Sequence, residues 1–367
     1  MGIPEKIKAI QDEMAKTQIN KATEKHLGLL KAKIAKLKRE QEDDVTKKSG
    51  MKQDGFDVRR SGDATVVFIG LPSVGKSTLL NKMTGANSTI GAFQFTTLTV
   101  VPGMMEYRGA KIQVLDLPGI IKGASTGKGL GKRILSVART ADLVLLVLDV
   151  FQPFHEDVLV NELGSIGIRL NQLPPNLTIE KAGMGGIAVA QQVKLTKISV
   201  DHLKSILHLY GIVSARVVVR EDVTSEQLAD HIAGNISYSK ALTILNKIDL
   251  VDKEFLENLK KKIKSDVIEV SANSDINIEL LKEKIYEKLK FIRIYLRPKG
   301  GETDFKDPLI ARESDTVEDI CNKLHRRLRR DFRYGLVWGK SVKFGGQRVG
   351  LNHILIDEDV LTVIKKR

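Results

Sequence analysis

Gly70-Leu71-Pro72-Ser73-Val74-Gly75-Lys76-Ser77 is the stretch on which the reading of this chain turns. It matches G-x-x-x-x-G-K-[ST] in full, follows an apolar run predicted as a strand (Val66–Ile69) and opens a predicted helix (Ser77–Met83). Strand, glycine loop and helix in that order make a phosphate cradle, a P-loop. The glycines let backbone N–H groups approach and point at phosphate oxygens, and the helix N-terminus adds a favourable dipole. Lys76 is expected to balance the charge of the β- and γ-phosphates and so to act in catalysis. The Ser77 hydroxyl is expected to ligate Mg²⁺, with Thr78 beside it.

Outward from this loop, Asp116-Leu117-Pro118-Gly119 ends the next apolar strand, forty residues after Lys76. A carboxylate there serves Mg²⁺, and the Gly119 N–H serves the γ-phosphate. Further on, Asn246-Lys247-Ile248-Asp249 ends the predicted strand Ala241–Leu245. Asp249 can accept hydrogen bonds from the N1–H and exocyclic amine of guanine, an arrangement adenine does not offer. Asn246 would bridge base and phosphate loop, and the Lys247 stem would cover the ring. Ser271-Ala272-Asn273 follows the predicted strand Val267–Val270 and supplies a backbone N–H for guanine O6. Four elements in this order select GTP over ATP, which excludes a P-loop kinase or ATPase.

The runs Thr65–Ile69, Lys111–Leu115, Leu143–Asp149 and Ala241–Leu245 are rich in Val, Ile and Leu and alternate with helical stretches, as a parallel α/β sheet requires. Residues 150–240 separate the last two, 91 residues where about a dozen close a crossover. The gap is predicted to hold a small α+β insertion: strands Leu177–Lys181, Ile187–Val193 and Ala215–Val219, with helices near Val200–Tyr210 and after Thr224. Before the sheet, apolar residues at Ile7, Ile10 and Met14, then at Leu27, Leu30, Ile34 and Leu37, recur at helical spacing. They predict two helices broken near Thr17–Lys21, followed by a linker over Ser49–Gly55. After Lys290 a third unit is expected: strands Ile292–Leu296, Leu309–Ala311, Tyr334–Trp338 and Leu361–Ile364, and one helix over Thr316–Arg330 capped by Ser314, Asp315 or Thr316. The layout is therefore residues 1–55 helical, 56–290 the nucleotide-binding domain interrupted at about 165–237, and 291–367 the C-terminal domain.

Composition agrees. The 367 residues suit two or three folded units, and 42% hydrophobic with 28% charged residues is an ordinary globular balance. The longest strongly apolar run, Leu143–Leu148, is far short of the ~20 residues of a membrane span. The N-terminus lacks the apolar core of a secretory signal. A single cysteine, Cys321, excludes an internal disulfide, so a reducing cytoplasm is the expected compartment. The scattered His26, His155, His202, His208, His231 and His353 lack ligand spacing.

Gly70–Ser77, then Phe95-Thr96-Thr97-Leu98, then DLPGIIKGASTGKGLGK at 116–132, resembles the Obg branch of translation-factor-class GTPases. Together with the helical N-terminus, the long insertion and RIYLRPKG at 293–300, the whole chain resembles the developmentally regulated GTP-binding (DRG) proteins. The resemblance implies an S5-domain-2-like insertion, a C-terminal TGS domain of β-grasp fold, and association with ribosomes or translation. It implies that Thr97, rather than Thr96, is the switch I threonine contacting Mg²⁺, and that a zinc-finger partner protein can stabilise such chains. Some relatives recruit potassium through a P-loop asparagine; the matching position here is Ser73, whose hydroxyl offers an oxygen, so K⁺ stays open as an activator.

Ile120 stands where Ras-type enzymes place the glutamine that orients water, with Ile121 next. Intrinsic hydrolysis is therefore expected to be slow, about 10⁻⁴–10⁻³ s⁻¹. The stretch 123–132 is expected to be switch II.

Fifty-nine Lys and Arg against 45 Asp and Glu leave a net charge of +14, which asks for a polyanionic partner. Residues 1–53 hold +5 of it and residues 291–367 hold +6. Arg326, Arg327, Arg329, Arg330 and Arg333 form the densest cluster, a phosphate-tracking stripe if helical. Its aromatic content does not suggest base stacking, and DNA sequence specificity is not expected. The leading expectation is a GTP-hydrolysing switch working with ribosomes or rRNA. The other is a ribosome- or RNA-binding scaffold that keeps its guanine nucleotide as a structural part.

Overall fold

The computed structural model describes residues 2–18, 23–49, 61–84, 93–95, 98–117, 137–234, 236–261, 263 and 265–366, and only the backbone of 24, 38, 41–49, 93–95, 98–101 and 326. Along the chain come α1 (Ile3–Lys16), α2 (Glu24–Ser49), β1 (Ala64–Ile69), α3 (Lys76–Thr84), β2 (Phe93–Phe95), β3 (Leu98–Tyr107), β4 (Ala110–Asp116) and β5 (Leu143–Asp149). Then follow α4 (His155–Ser165), β6 (Ile168–Leu170), β7 (Leu177–Lys181), β8 (Ile187–Gln191), α5 (Val200–Leu209), β9 (Ala215–Val219), α6 (Ser225–Ala233), β10 (Ser237–Ser239) and β11 (Ala241–Asn246). The chain ends with α7 (Lys253–Lys260), β12 (Val267–Glu269), α8 (Ile278–Leu289), β13 (Phe291–Leu296), β14 (Leu309–Arg312), α9 (Val317–Leu324), α10 (Arg326–Arg330), β15 (Phe332–Trp338), β16 (Gln347–Val349) and β17 (Val360–Lys365). Among the described residues no helix is long and apolar enough to cross a membrane.

The chain divides into two compact units, Asp57–Ile166 with Ser239–Arg367, and Met1–Phe56 with Gly167–Tyr238. In the first, a seven-stranded sheet has the order β12-β11-β5-β1-β4-β3-β2. The five strands from β12 to β4 are parallel, whereas β3 and β2 turn back antiparallel at the edge. Every residue of β1 is buried, which explains its unbroken apolar run: both faces of a parallel sheet are covered. From β1 the chain builds strands to one side, then crosses back to β5 on the other. The crevice beyond the carboxyl end of β1 is thus a topological switch point, where open α/β sheets bind ligands.

The same unit carries a second sheet of order β14-β13-β17-β15-β16, covered on one face by α9 through Val317, Ile320 and Cys321. This is the expected β-grasp C-terminal domain. Phe291 and Ile310 belong to the core of the larger sheet, and Tyr107, Tyr286 and Phe291 meet edge to face at 5.8 and 5.6 Å. Arg312 pairs with Asp142 at 2.5 Å and Lys323 with Asp63 at 3.5 Å. The helix expected over Thr316–Arg330 is corrected to two. His325 is extended (φ −169°) and caps the second helix with its ring, accepting the Arg327 N–H at 3.1 Å.

In the second unit, α5 and α6 cover the sheet β7-β9-β8. Ser199 caps α5 and a Thr224–Gln227 capping box starts α6. Helix α2 shares this core: Ala32 is fully buried in it and Leu29 packs against it. Lys36 Nζ donates to Leu209 O at 2.9 Å, and Tyr210 Oη donates to Ala32 O at 3.1 Å. Gly28 sits where a Cβ would come 2.7 Å from the His202 ring, which accounts for the one glycine in this helix.

Candidate functional site

At the end of β1 the chain turns through Gly70–Gly75 and enters α3 at Lys76. Ser73 (φ +65°) and Gly75 (φ +92°) both take left-handed backbone, the kind of local strain that collects at functional sites. A Cβ on Gly75 would lie 2.3 Å from Asn246 Nδ2. Gly75→Ala should therefore lower stability by about 1–3 kcal/mol and abolish GTP binding, in thermal melts and nucleotide titration respectively.

Asn246, at the end of β11 and 1% exposed, ties three motifs together. Its amide nitrogen donates to Val74 O at 2.9 Å in the phosphate loop, and its oxygen accepts the Ala272 N–H at 3.2 Å. Lys247, itself left-handed (φ +68°), crosses to the loop and donates to Ser73 O at 2.9 Å. Asp249 stands exposed on the 3₁₀ turn that follows. Ser73, Gly75, Lys76, Ser77, Thr78, Asn246, Lys247, Asp249, Ser271, Ala272 and Asn273 line one cavity of about 320 Å³. Gly70, Leu71, Pro72 and Val74 build the loop without lining it.

The buried Lys76 ammonium donates to Gly70 O at 3.1 Å and Leu71 O at 2.8 Å. Burial pushes its pKa down, and nearby Asp116 only partly offsets this. Ser77 Oγ donates to Asp116 Oδ2 at 2.5 Å, while Asp116 Oδ1 is buried with no hydrogen-bond partner among the described residues. An orphaned carboxylate oxygen beside a hydroxyl is the hard-oxygen donor set that Mg²⁺ takes together with phosphates, so the residues fit the ion. Leu117 is buried in the core, whereas Thr97, Pro118, Gly119 and Ile120 lie outside the described residues.

One site residue escaped the sequence reading. Asp149 ends β5 in register with Asn246, and its carboxylate accepts Lys247 Nζ at 2.6 Å and the Phe151 N–H at 3.0 Å. It holds the Lys247 stem across the cavity mouth. Its signal in the sequence was the acid closing the apolar run Leu143–Leu148, at the carboxyl end of a strand.

The arginine cluster is split. Arg329 pairs with Glu318 at 2.5 Å and Arg330 with Asp331 at 3.3 Å. Arg327 has no ion pair among the described residues, and Arg333 sits on β15 rather than on the helix.

Family models match along the chain: "50S ribosome-binding GTPase" over residues 65–181, "C-terminal region of MMR_HSR1 domain" over 184–291 and "TGS domain" over 292–365. An uncharacterized GTP-binding protein of Methanocaldococcus jannaschii is 54% identical, covering 100% of this chain and 94% of its own length. The developmentally-regulated GTP-binding protein 2 homolog of Dictyostelium discoideum is 48% identical over the whole of both chains. The ribosome-interacting GTPase 1 of Saccharomyces cerevisiae is 47% identical over 99% of each. With a phosphate loop, an NKID turn and a C-terminal TGS domain in one chain, and relatives of this identity over its full length, the protein belongs to the developmentally regulated GTP-binding family of P-loop GTPases.

Proposed function

We propose that this protein is a slow GTP hydrolase in the cytoplasm whose nucleotide state controls its engagement with ribosomes. The observation that carries the nucleotide half is Asn246, which locks the phosphate loop to the base-reading turns around one cavity. Gly70–Thr78 bind the phosphates, Lys76 balances their charge, and Asn246, Lys247, Asp249 and Ser271–Asn273 take the guanine. Ser77 and Asp116 hold Mg²⁺, with Thr97 and Gly119 completing the γ-phosphate side. Mg²⁺, when bound, neutralises charge developing between the β- and γ-phosphates. The ribosomal half rests on the yeast relative's name and on the net +6 of residues 291–367, with Arg326, Arg327, Arg329, Arg330 and Arg333 contributing cations for rRNA. Residues 1–55, the GTPase domain 56–290 with its insertion at about 165–237, and the TGS domain 291–367 form the working layout.

The side chains of Ile120 and Ile121 offer the attacking water no hydrogen bond, so backbone, a cation such as K⁺ or a partner such as the ribosome supplies what glutamine supplies elsewhere. Single-turnover hydrolysis by the purified chain should proceed at about 10⁻⁴–10⁻³ s⁻¹ and accelerate with ribosomes. Potassium and sodium chloride compared directly report on the cation. An intrinsic rate above about one per second contradicts the slow-switch reading. Nucleotide that never turns over, even with ribosomes, favours a scaffold with a structural nucleotide.

A further inference from the structure

The five-stranded sheet of the C-terminal domain buries one face under α9 through Val337 and Leu361. Strand alternation sends Tyr334, Leu336 and Ile364 to the opposite face, where each stays partly exposed. Two arginines from different strands meet there on one ring. The guanidinium of Arg348, on β16, lies 4.7 Å from the Tyr334 ring centre, and that of Arg333 lies 5.9 Å away. The register shift between Phe332 and Tyr334 is the irregularity beside which Arg333 reaches the ring of its neighbour.

The pairing of these two arginines differs from that of others in the domain. Arg293 pairs with Asp357 and Glu358, Arg312 with Asp142, and Arg329 with Glu318. Arg333 and Arg348 are exposed and have no carboxylate partner among the described residues. Two like charges held against one ring repel one another, and an anion between them removes that repulsion.

We propose that this face of the TGS sheet, centred on Tyr334 with Arg333 and Arg348, binds an unpaired nucleotide of RNA. The inference rests on the reading that the protein works on ribosomes and adds a specific site to it. A splayed base offers a plane to the phenol ring and to a guanidinium held flat beside it, and its phosphate takes the in-plane N–H groups. Duplex RNA keeps its bases stacked and presents phosphates alone. An acidic peptide supplies anions without the plane. Aromatic and cationic groups together on a sheet therefore fit a single strand best.

The test uses the full-length chain, a fluorescent twelve-nucleotide single-stranded RNA, a duplex of equal length and polyglutamate as competitor. The single strand should bind more tightly than the duplex and resist polyglutamate. Tyr334→Ala should weaken it on the order of ten-fold, whereas Tyr334→Phe should retain it. Arg348→Ala should also lower the slope of log affinity against log salt by about 0.7, one phosphate contact, and Arg348→Lys should restore that slope without restoring affinity. Because Arg348 is exposed, its variants keep the test valid if Tyr334→Ala melts early. Equal binding of duplex, or Arg348→Ala and Tyr334→Ala binding like the unsubstituted chain, would overturn the proposal while ribosome co-sedimentation stands. Loss of co-sedimentation by the unsubstituted chain would instead remove the ribosomal reading beneath it.

Discussion

Lys76→Ala should weaken GTP and GDP binding by two orders of magnitude or more, on the order of the 2–5 kcal/mol that follows truncation of one partner in a buried charge pair. The reason lies in what surrounds the ammonium. It is 7% exposed, its hydrogen bonds go to two loop carbonyls, and the nearby Asp116 carboxylate does not fully offset its desolvation. A cation held in this way is paired fully only when phosphates arrive. The sign of the pH dependence follows. Burial holds the pKa of the empty site low, and bound phosphate raises it, so the complex holds more protons than the free protein. Affinity should fall as pH rises through the lowered pKa, and Lys76→Ala should flatten that dependence. Calorimetric titration with both nucleotides across pH measures both effects. An affinity within threefold of the unsubstituted protein would dissociate Lys76 from phosphate binding.

Asp249→Asn should cost GTP about ten- to a hundred-fold in affinity, the loss of a charge-assisted hydrogen bond, and should raise affinity for xanthosine triphosphate. A carboxylate at this position can accept from both guanine donors. An amide in its place can accept only one of them and turns its own N–H₂ toward a position where xanthine carries an oxygen. Asp249 stands exposed on its turn, at the cavity rim, so the change should leave the melting temperature of the empty protein nearly unaltered. Competition among GTP, xanthosine triphosphate and ATP reads the outcome directly. An unchanged ratio between the first two would move base recognition elsewhere in the cavity.

The candidate site was largely legible because its parts are contiguous. In Gly70–Ser77 and Asn246–Asp249 each residue's role follows from the backbone it shares with its neighbours: a left-handed glycine, a helix start, a strand end. The strands that hold these motifs were legible for a related reason, since burial on both faces leaves an apolar run that needs no partner to be recognised. The C-terminal helix was misjudged as continuous because its residue types favour helix throughout, and the break comes from His325, whose ring caps the next turn. Strand β16 is three residues long, too short for any periodicity to register.

What the amino-acid order determined unaided is therefore the framework of the candidate site: a phosphate loop, the NKID turn and the strands that carry them. Only the folded chain decided which distant groups meet. The helical spacing in α2 was visible, but the residues it packs into the core of α5 and α6 are Leu29, Ala32 and Ala35 rather than the predicted Leu27, Leu30, Ile34 and Leu37, because the partners that select the face lie more than 160 residues further along. Asp149 meets Lys247 across 98 positions because β5 and β11 pair in one register. Tyr334 and Arg348 meet because β15 and β16 pair in another. Registers of this kind are set by packing summed over whole sheets, and no local stretch of sequence contains that sum.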